Sequence, residues 1–262
     1  MPDLLKCHGI TKAYGSLIAV SDMSMSANAG EIIGIGGPNG AGKTTFFDII
    51  SGVTAPTQGS VHLDGRDISN TTADKTCFLG IAKTFQMNAA YESMTVEENV
   101  LCSMYFGRRN IIFPGFNYSR SQRAETEDIL DLTGLSAVAR ERAGRLTILQ
   151  RKKLMIASAL ATNPILLLLD EPVGGLNPHE IDETIELLRR IHKDRSLTII
   201  LIEHVMRFIV ELCDRVVIMH HGQKLYEGSS AGLTHDPKVV ETYLGADAAN
   251  RLEHIISGQS QS

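Results

Sequence analysis

Hydrophobic and polar residues alternate with a short period in the first part of the chain. Residues 4–35 hold short segments of period two, such as MSMSA (23–27), and end in the apolar run EIIGI (31–35), which predicts β-strands. A glycine-rich loop follows, and a helix is predicted from Lys43 to Ser51. The segment GSVHLDGRDI (59–68) alternates like two strands joined by an Asp64-Gly65 turn.

Helical spacing dominates from about residue 95. It predicts helices in three segments: TVEENVLCSMYF (95–106), SRSQRAETEDILDLTG (119–134) and QRKKLMIASALATN (150–163). Between the first two lies GRRNIIFPGFNYSR (107–120), which is rich in aromatic residues and glycine and has no clear period. We therefore predict a mainly helical subdomain at 87–162 with an insertion at 107–120, although a tolerated surface loop would look the same.

Apolar strands and helices alternate after Pro164. ILLLLD (165–170) and LTIILIE (197–203) predict buried strands, each followed by a helix, and a hairpin is predicted across 216–227 with a turn at His220, His221 and Gly222. Such a pattern is typical of a parallel sheet covered on both faces. The fold class predicted is α/β: a mainly parallel sheet, an antiparallel β portion near the N-terminus and an inserted helical subdomain.

Composition adds few constraints to this picture. The chain has 262 residues, of which 25 are basic and 30 acidic, so its formal charge of −5 gives no electrostatic footprint for nucleic acid. No apolar run approaches the roughly 20 residues of a membrane-spanning helix, and the first residues do not resemble a secretory signal. The four cysteines form no C-x-x-C pair, which favours buried free thiols over a zinc site or disulfides.

The segment GPNGAGKT (37–44) matches the phosphate-loop pattern G-x-x-x-x-G-K-[ST] between a predicted strand and a predicted helix. Glycines let backbone N–H groups approach phosphate oxygens, and the helix N-terminus adds its positive dipole end. Lys43 is expected to reach the β- and γ-phosphates of a nucleoside triphosphate, and the Thr44 hydroxyl to ligate Mg²⁺. The predicted cofactor-binding set is Gly37, Pro38, Asn39, Gly40, Ala41, Gly42, Lys43, Thr44 and Thr45.

Acidic residues and a histidine follow the two buried strands. Asp170 is expected to hold Mg²⁺ through its hydration shell, and Glu171 to orient and deprotonate the attacking water. His204 ends the next strand, where a contact to the γ-phosphate and the water is expected. Taken singly, the two acidic residues could simply be solvated side chains at the end of a strand, and the histidine could be a structural residue.

These motifs together resemble the ATP-binding subunits of ABC transporters. The phosphate loop, KTFQ (83–86), ILLLLDEP, GGLNP (174–178) and IEH (202–204) occur in that family's order over about residues 4–245. The resemblance implies one ATPase domain with core 1–86 and 163–245 and a tail at 246–262. It also implies that Tyr14 stacks on adenine, and that Gln86 meets Mg²⁺ and the membrane partner.

The resemblance further implies partners and a location. Two ATP-binding subunits, identical or different, face each other head to tail on transmembrane permeases at the cytoplasmic face of the membrane, with a periplasmic or extracellular substrate-binding protein. The insertion, GGLNP and THDPKVVETYLG (234–245) resemble the ATP-binding subunits of branched-chain amino acid importers, whose relatives carry other small polar molecules. We predict hydrolysis of ATP coupled to such import.

One motif departs from the family. LTILQ (146–150) stands where the family has L-S-G-G-Q, the signature that grips the partner subunit's ATP. Leu146 and Gln150 match and Thr147 keeps a hydroxyl, but Ile148 and Leu149 replace glycines. We expect the added bulk to hinder approach to the partner's γ-phosphate and the side chain to disfavour the backbone angles glycine uses, while the dipole of the following helix still attracts phosphate.

Four alternatives remain at this stage. A lipopolysaccharide-export ATPase has a similar C-terminal ending but usually lacks the insertion. A nucleic-acid-associated ABC ATPase would have a long coiled coil or two ATPase modules, which this chain lacks. A phosphate-loop kinase would leave Gln86, Glu171 and His204 unexplained. A nucleotide-binding subunit that regulates without turnover would differ in its ATPase activity.

Overall fold

The computed structural model describes residues 3–84, 90–108, 118–233, 235–244 and 252. Gln86, most of the predicted insertion and nearly all of the predicted tail lie outside these residues. The chain divides into two units, one formed by Met1–Thr72 with Thr198–Ser262 and the other by Ala73–Leu197. We call them unit 1 and unit 2.

Strands and helices follow one another closely along the described chain. The strands are β1 (Asp3–Tyr14), β2 (Leu17–Asn28), β3 (Ile32–Gly36), β4 (Gln58–Leu63), β5 (Arg66–Asp67), β6 (Ile81–Lys83), β7 (Leu166–Asp170), β8 (Thr198–Ile202), β9 (Arg215–His220) and β10 (Gln223–Gly228). The helices are α1 (Lys43–Ile50), α2 (Ala73–Phe78), α3 (Val96–Gly107), α4 (Arg120–Leu132), α5 (Ile148–Ala161), α6 (Pro178–Arg195), α7 (Met206–Leu212), α8 (Ser230–Leu233) and α9 (Pro237–Val239). Short 3₁₀ turns cover Ser136–Val138 and Ala143–Arg145, and a π-helical turn covers Val240–Leu244.

Unit 1 contains an antiparallel sheet with the order β2-β1-β4-β5. The sequence predicted short pieces here, but β1 and β2 are continuous strands of 12 residues each. Their pairing shifts register at four points, including one between Cys7 and Ile10, and each shift interrupts the alternation of side chains between faces. The predicted turn between β4 and β5 is confirmed, with Asp64 and Gly65 both at positive φ.

Unit 1 also carries the strands β10-β9-β3-β8 side by side. β3 pairs in parallel with β8 on one side and with β9 on the other, and all five residues of β3 and of β8 are buried. Burial on both faces explains why these strands read as continuous apolar runs rather than alternating ones. The predicted hairpin of β9 and β10 is confirmed, with His221 and Gly222 at positive φ in the turn.

Unit 2 places β6 parallel to β7 and holds helices α2 to α6. The helices predicted for 95–106, 119–134 and 150–163 are confirmed as α3, α4 and α5, and the helix predicted after ILLLLD is confirmed as α6. Each begins with a reciprocal capping box, in which the side chains of the N-cap and of the third helical residue satisfy each other's backbone N–H. The short elements α2 and β6 were not predicted, because three to six residues carry too little periodicity.

The sequence predicts buried free thiols, and it has no apolar run of the length that a membrane span needs. All four cysteines are free, but only Cys7 and Cys213 are buried, whereas Cys77 and Cys102 are partly exposed. Burial raises the pKa of Cys7 to about 12, which suits a packing role. Among the residues described, no helix combines the length and the apolar character that crossing a bilayer demands.

Candidate functional site

The phosphate loop joins the buried strand β3 to α1 in unit 1. Gly37, Gly40 and Gly42 have φ of 140°, 79° and 93°, which side chains rarely adopt. A β-carbon on Gly37 would lie 2.1 Å from the Met219 carbonyl oxygen, and one on Gly42 would lie 2.2 Å from that of Ala19. Two of the three glycines are therefore required by both backbone angle and space.

Lys43 lies inside the curve of this loop. Its side chain is only 6% exposed, and its Nζ donates hydrogen bonds to the carbonyl oxygens of Gly37 (2.7 Å) and Pro38 (2.9 Å). The ammonium group is thus held against the backbone of the loop that precedes it. Around it, Asn39, Gly40 and Thr44 are exposed, Pro38, Gly42 and Thr45 are partly exposed, and Ala41 is buried.

His204 emerges from the same edge of the sheet as the phosphate loop. Ile35 of β3 lies opposite Ile202 of β8 in a parallel pair, so both strands end side by side. The His204 side chain is exposed, and its backbone N–H donates to Oε2 of Glu203 at 2.9 Å. Glu203 is 2% exposed and also accepts the Val205 N–H at 3.3 Å. A buried carboxylate, which sequence reasoning missed, therefore fixes the backbone that carries His204.

Asp170 and Glu171 end the buried strand β7 in unit 2. Asp170 is 3% exposed, and its backbone N–H donates to the Thr84 hydroxyl at 3.2 Å. Glu171 has φ of 50°, a left-handed conformation that is costly for a residue of its type. Its carbonyl oxygen accepts the Lys152 Nζ at 2.6 Å and the Gly174 N–H at 3.3 Å. Lys152 belongs to α5, so the helix of the altered signature holds the backbone of Glu171.

LTILQ forms the start of α5. Thr147 is the N-cap, its hydroxyl accepts the Gln150 N–H, and the Gln150 side chain accepts the Thr147 N–H. Leu146 is 6% exposed, whereas Ile148 is 58% exposed and Leu149 partly so. Ile148 and Leu149 are the first two helical residues, and neither is at positive φ, so both side chains fit this backbone. The bulk of these two side chains is the difference from glycine that this surface shows.

Tyr14 ends β1 in unit 1 and is 50% exposed. The Lys12 Nζ lies 5.1 Å from the centre of the Tyr14 ring, and it donates to the Ala55 carbonyl oxygen at 2.7 Å. An exposed ring at a strand end is available for stacking on a base, which leaves the predicted role of Tyr14 open to test.

The structure thus brings the predicted residues together in two groups. Unit 1 holds the phosphate loop, Tyr14 and His204, and unit 2 holds Asp170, Glu171 and the start of α5. The hydroxyl of Thr44 and the carboxylate of Asp170 are hard oxygen donors of the kind Mg²⁺ prefers. Within the described residues no group of three or more His, Cys, Asp or Glu could hold a metal ion, and Mg²⁺ in nucleotide sites needs only one or two protein oxygens.

Comparison with known proteins gives consistent matches. The family model described as ABC transporter matches residues 20–174, more than half of the chain. The branched-chain amino acid transport ATP-binding protein BraF of Pseudomonas aeruginosa and LivG of Escherichia coli are each 32% identical over 249 residues, covering 92% of this chain and 98% of the relative. The sulfate/thiosulfate import protein CysA of Burkholderia mallei is 33% identical, but the match covers only 68% of CysA.

Solved structures agree with the sequence comparison. The ADP conformation of MJ1267, an ATP-binding cassette of an ABC transporter, matches with a TM-score of 0.85 and 29% identity, covering 94% of this chain and all of MJ1267. The dimeric structure of MJ0796, a bacterial ABC transporter cassette, matches with a TM-score of 0.76 and 25% identity, covering 86% of this chain and 98% of MJ0796.

Proposed function

The chain belongs to the ABC transporter family of ATP-binding, ATP-hydrolysing subunits, and from this we infer that it drives import of branched-chain amino acids or related small polar molecules. The observation that supports this cargo is the similarity to BraF and LivG over nearly the whole length of both proteins. The CysA match leaves about a third of that relative uncovered, so it gives weaker support to an inorganic anion as the cargo. The domain proposed is a single nucleotide-binding domain with core 1–86 and 163–245 and helical subdomain 87–162.

ATP binding is proposed to use the phosphate loop as an anion cradle. Backbone N–H groups of residues 39–45 and the N-terminus of α1 would face the phosphates. The Lys43 ammonium, now held by the Gly37 and Pro38 carbonyl oxygens, would exchange these for β- and γ-phosphate oxygens. Tyr14 would stack on the adenine.

Magnesium would be held by the Thr44 hydroxyl, by Asp170 through its water shell and by Gln86. When bound, the ion would neutralise charge that develops on the β- and γ-phosphates. Glu171 would accept the proton of the attacking water, and His204 would contact that water and the γ-phosphate. The role of Glu171 depends on the orientation of its backbone. The hydrogen bond from Lys152 to the Glu171 carbonyl oxygen in unit 2 supports that orientation.

The partners proposed are a second ATP-binding subunit and transmembrane permease subunits at the cytoplasmic face of the membrane. A relative that is dimeric, MJ0796, supports the first. The signature residues Leu146, Thr147 and Gln150 would contact the ATP bound by the second subunit. A periplasmic or extracellular substrate-binding protein would deliver the cargo.

The test is transport by the assembled complex. The chain is reconstituted in proteoliposomes with its permease, second ATP-binding subunit and binding protein, and uptake of radiolabelled leucine, isoleucine, valine and sulfate is measured with internal MgATP. We expect uptake of the three amino acids only, and its loss with Glu171→Gln. Uptake of sulfate alone, or ATP-dependent exit of lipid, would refute the proposed cargo.

A further inference from the structure

The hairpin of β9 and β10 meets the phosphate loop within unit 1. Its turn consists of His221 and Gly222, at φ of 47° and 77°, the pair of positive angles that a type I′ turn requires. Gly222 is buried, and its backbone N–H donates a hydrogen bond to the Ala41 carbonyl oxygen at 3.1 Å. The tip of this hairpin is thus bonded directly to the phosphate loop.

This hydrogen bond reaches a buried part of the loop. Ala41 is 2% exposed, and its N–H donates at 3.2 Å to the Pro38 carbonyl oxygen, which also accepts the Lys43 ammonium at 2.9 Å. With the bond from Gly222, both backbone polar groups of Ala41 are satisfied. A buried carbonyl oxygen that loses its donor is costly. The curve of the loop around Lys43 therefore depends on Gly222.

The space around the turn also requires glycine. A β-carbon on Gly222 would lie 2.9 Å from the Ala19 carbonyl oxygen and 3.2 Å from Cα of Val20, both in β2. The Gly222 carbonyl oxygen accepts the Ser21 N–H at 2.8 Å, which fixes the turn against that strand. The Ala19 carbonyl oxygen also lies 2.2 Å from where Gly42 would carry a β-carbon, so β2 packs against the turn and the loop together. A side chain at position 222 would therefore shift the turn relative to both.

We propose that Gly222 is a positioning residue for ATP binding, by which the β9–β10 hairpin holds the phosphate loop in the shape that fits phosphate. The inference rests on the proposed use of this loop for ATP and is independent of the cargo. The sequence predicted Gly222 only as part of a hairpin turn, because Ala41 lies far away along the chain.

The test variant is Gly222→Ala, and its matched control is Gly65→Ala in the β4–β5 turn of the same unit. Asp64 and Gly65 have φ of 48° and 75°, nearly those of His221 and Gly222, so both variants impose the same backbone strain. A β-carbon on Gly65, however, would meet no described atom within 4 Å. In the full chain, we expect Gly222→Ala to raise the Kd for ATP about threefold to tenfold, the effect of one lost hydrogen bond. The kcat at saturating ATP should change less than KM, and Gly65→Ala should leave both constants unchanged.

Hydrogen–deuterium exchange of the wild-type chain tests the contact without a variant. If the hairpin holds the loop, binding at the loop must in turn stabilise the hairpin, because coupling between two sites is reciprocal. A non-hydrolysable ATP analogue should therefore slow exchange in the peptide that contains Gly222 and leave the peptide that contains Gly65 unchanged. Without nucleotide, the peptide that contains Ala41 should exchange faster in Gly222→Ala than in Gly65→Ala.

Lys43→Ala separates this inference from the proposal on which it rests. An unchanged Kd for ATP in Lys43→Ala would refute ATP binding by the loop itself. A raised Kd in Lys43→Ala, with that of Gly222→Ala within about twofold of wild type, would refute only the role of Gly222. Equal effects of Gly222→Ala and Gly65→Ala, or exchange at Gly222 that the analogue does not slow, would overturn it as well. If Gly222→Ala does not fold, the exchange of the wild-type chain decides.

Discussion

Glu171 combines an acidic side chain with a backbone conformation that few residues adopt. Its positive φ costs free energy, and the hydrogen bonds from Lys152 and Gly174 to its carbonyl oxygen hold it in place. Backbone strain of this kind is common at functional sites, where the surrounding structure holds a residue in one orientation. We therefore regard the turn after β7 as built to direct the Glu171 carboxylate.

Glu171→Gln should separate chemistry from binding. The amide fits the same turn but cannot accept a proton, so we expect ATPase activity of the assembled complex to fall about 10²–10⁴-fold, the usual contribution of a general base. The Kd for ATP should stay within about twofold, because the phosphate loop is unchanged. Phosphate release and equilibrium binding of ATP measure the two effects.

The matched control is Glu186→Gln on the exposed face of α6, which should leave turnover and affinity as in wild type. Undiminished hydrolysis by Glu171→Gln would show that another group deprotonates the water.

Single site residues could be predicted from the sequence where a motif constrains the backbone. The glycines of the phosphate loop could be predicted because the pattern itself demands close approach and unusual angles. Thr84 and Lys152 could not, because each acts through a partner distant in sequence, and no local period records such a contact. His204 was identified while the adjacent Glu203, which fixes its backbone, was not.

At the scale of elements, α4 and α5 begin in the same way. Ser119 and Gln122 cap α4 as Thr147 and Gln150 cap α5, each pair exchanging two hydrogen bonds. The start of α5 is therefore a regular helix N-terminus with its dipole intact. Because Ile148 and Leu149 stand in place of the signature glycines, this terminus carries two apolar side chains, and that of Ile148 is exposed.

Restoring glycines at both positions should have two opposing effects. Ile148→Gly with Leu149→Gly removes bulk from the surface that would meet the partner's γ-phosphate, so ATPase activity of the isolated chain should rise several-fold. The free energy of unfolding should fall by up to about 2 kcal/mol, because glycine costs roughly 1 kcal/mol per helical position. Steady-state hydrolysis and urea denaturation measure these changes.

Arg120→Gly with Ser121→Gly changes the same two positions of α4 and provides the control. It should lower stability similarly without raising activity. If the glycines in α5 bring no gain in hydrolysis, the replacement in LTILQ is a tolerated variation.

Element types were predictable wherever a period extended over eight or more residues, as in α3, α5 and α6. The continuous strands β1 and β2 were predicted as short pieces because register shifts break the period-two pattern, and positive φ at Gly9 and Asp22 accompanies them. The helices were predicted correctly and the two strands only in part for one reason: a hydrophobic period indicates regular backbone, and bulges, turns and short connectors interrupt that period.

At the scale of the molecule, an ion-pair network connects the two sheets of unit 1. Arg215 at the start of β9 donates to both carboxylate oxygens of Glu31 (2.7 and 3.0 Å) and to the Ser26 carbonyl oxygen of β2 (2.6 Å). It also pairs with Glu227 of β10. Partial burial raises the pKa of Glu31, but hydrogen bonds from Arg215 and Asn28 outweigh this, so the net shift is downward.

This network should make stability depend on pH in the acidic range. A lowered pKa means that the contribution of Glu31 is fully present above its unfolded pKa, about 4.3, and is lost as pH falls through the folded pKa. Glu31→Gln should lower the free energy of unfolding by about 1–3 kcal/mol at pH 7 and by less at about pH 3.5. Urea denaturation across this range, with exposed Glu186→Gln as control, measures the difference. A gap that stays constant with pH would contradict the assignment.

The altered signature predicts an asymmetric pair of sites when this chain works with a second ATP-binding subunit that has an intact signature. One site would combine Lys43, Glu171 and His204 of this chain with the partner's glycines, and the other would combine the partner's phosphate loop with LTILQ. The isolated chain should be a poor ATPase, and the second subunit should raise turnover by about tenfold or more, the effect of about 1.4 kcal/mol or more in the barrier. Glu171→Gln in this chain should abolish that gain, whereas replacing the corresponding glutamate of the partner should preserve most of it. Phosphate release by the complexes, with only one glutamate replaced in each, measures the asymmetry. Rapid hydrolysis by the isolated chain, or equal losses from the two replacements, would show that LTILQ supports hydrolysis as well as a glycine signature does.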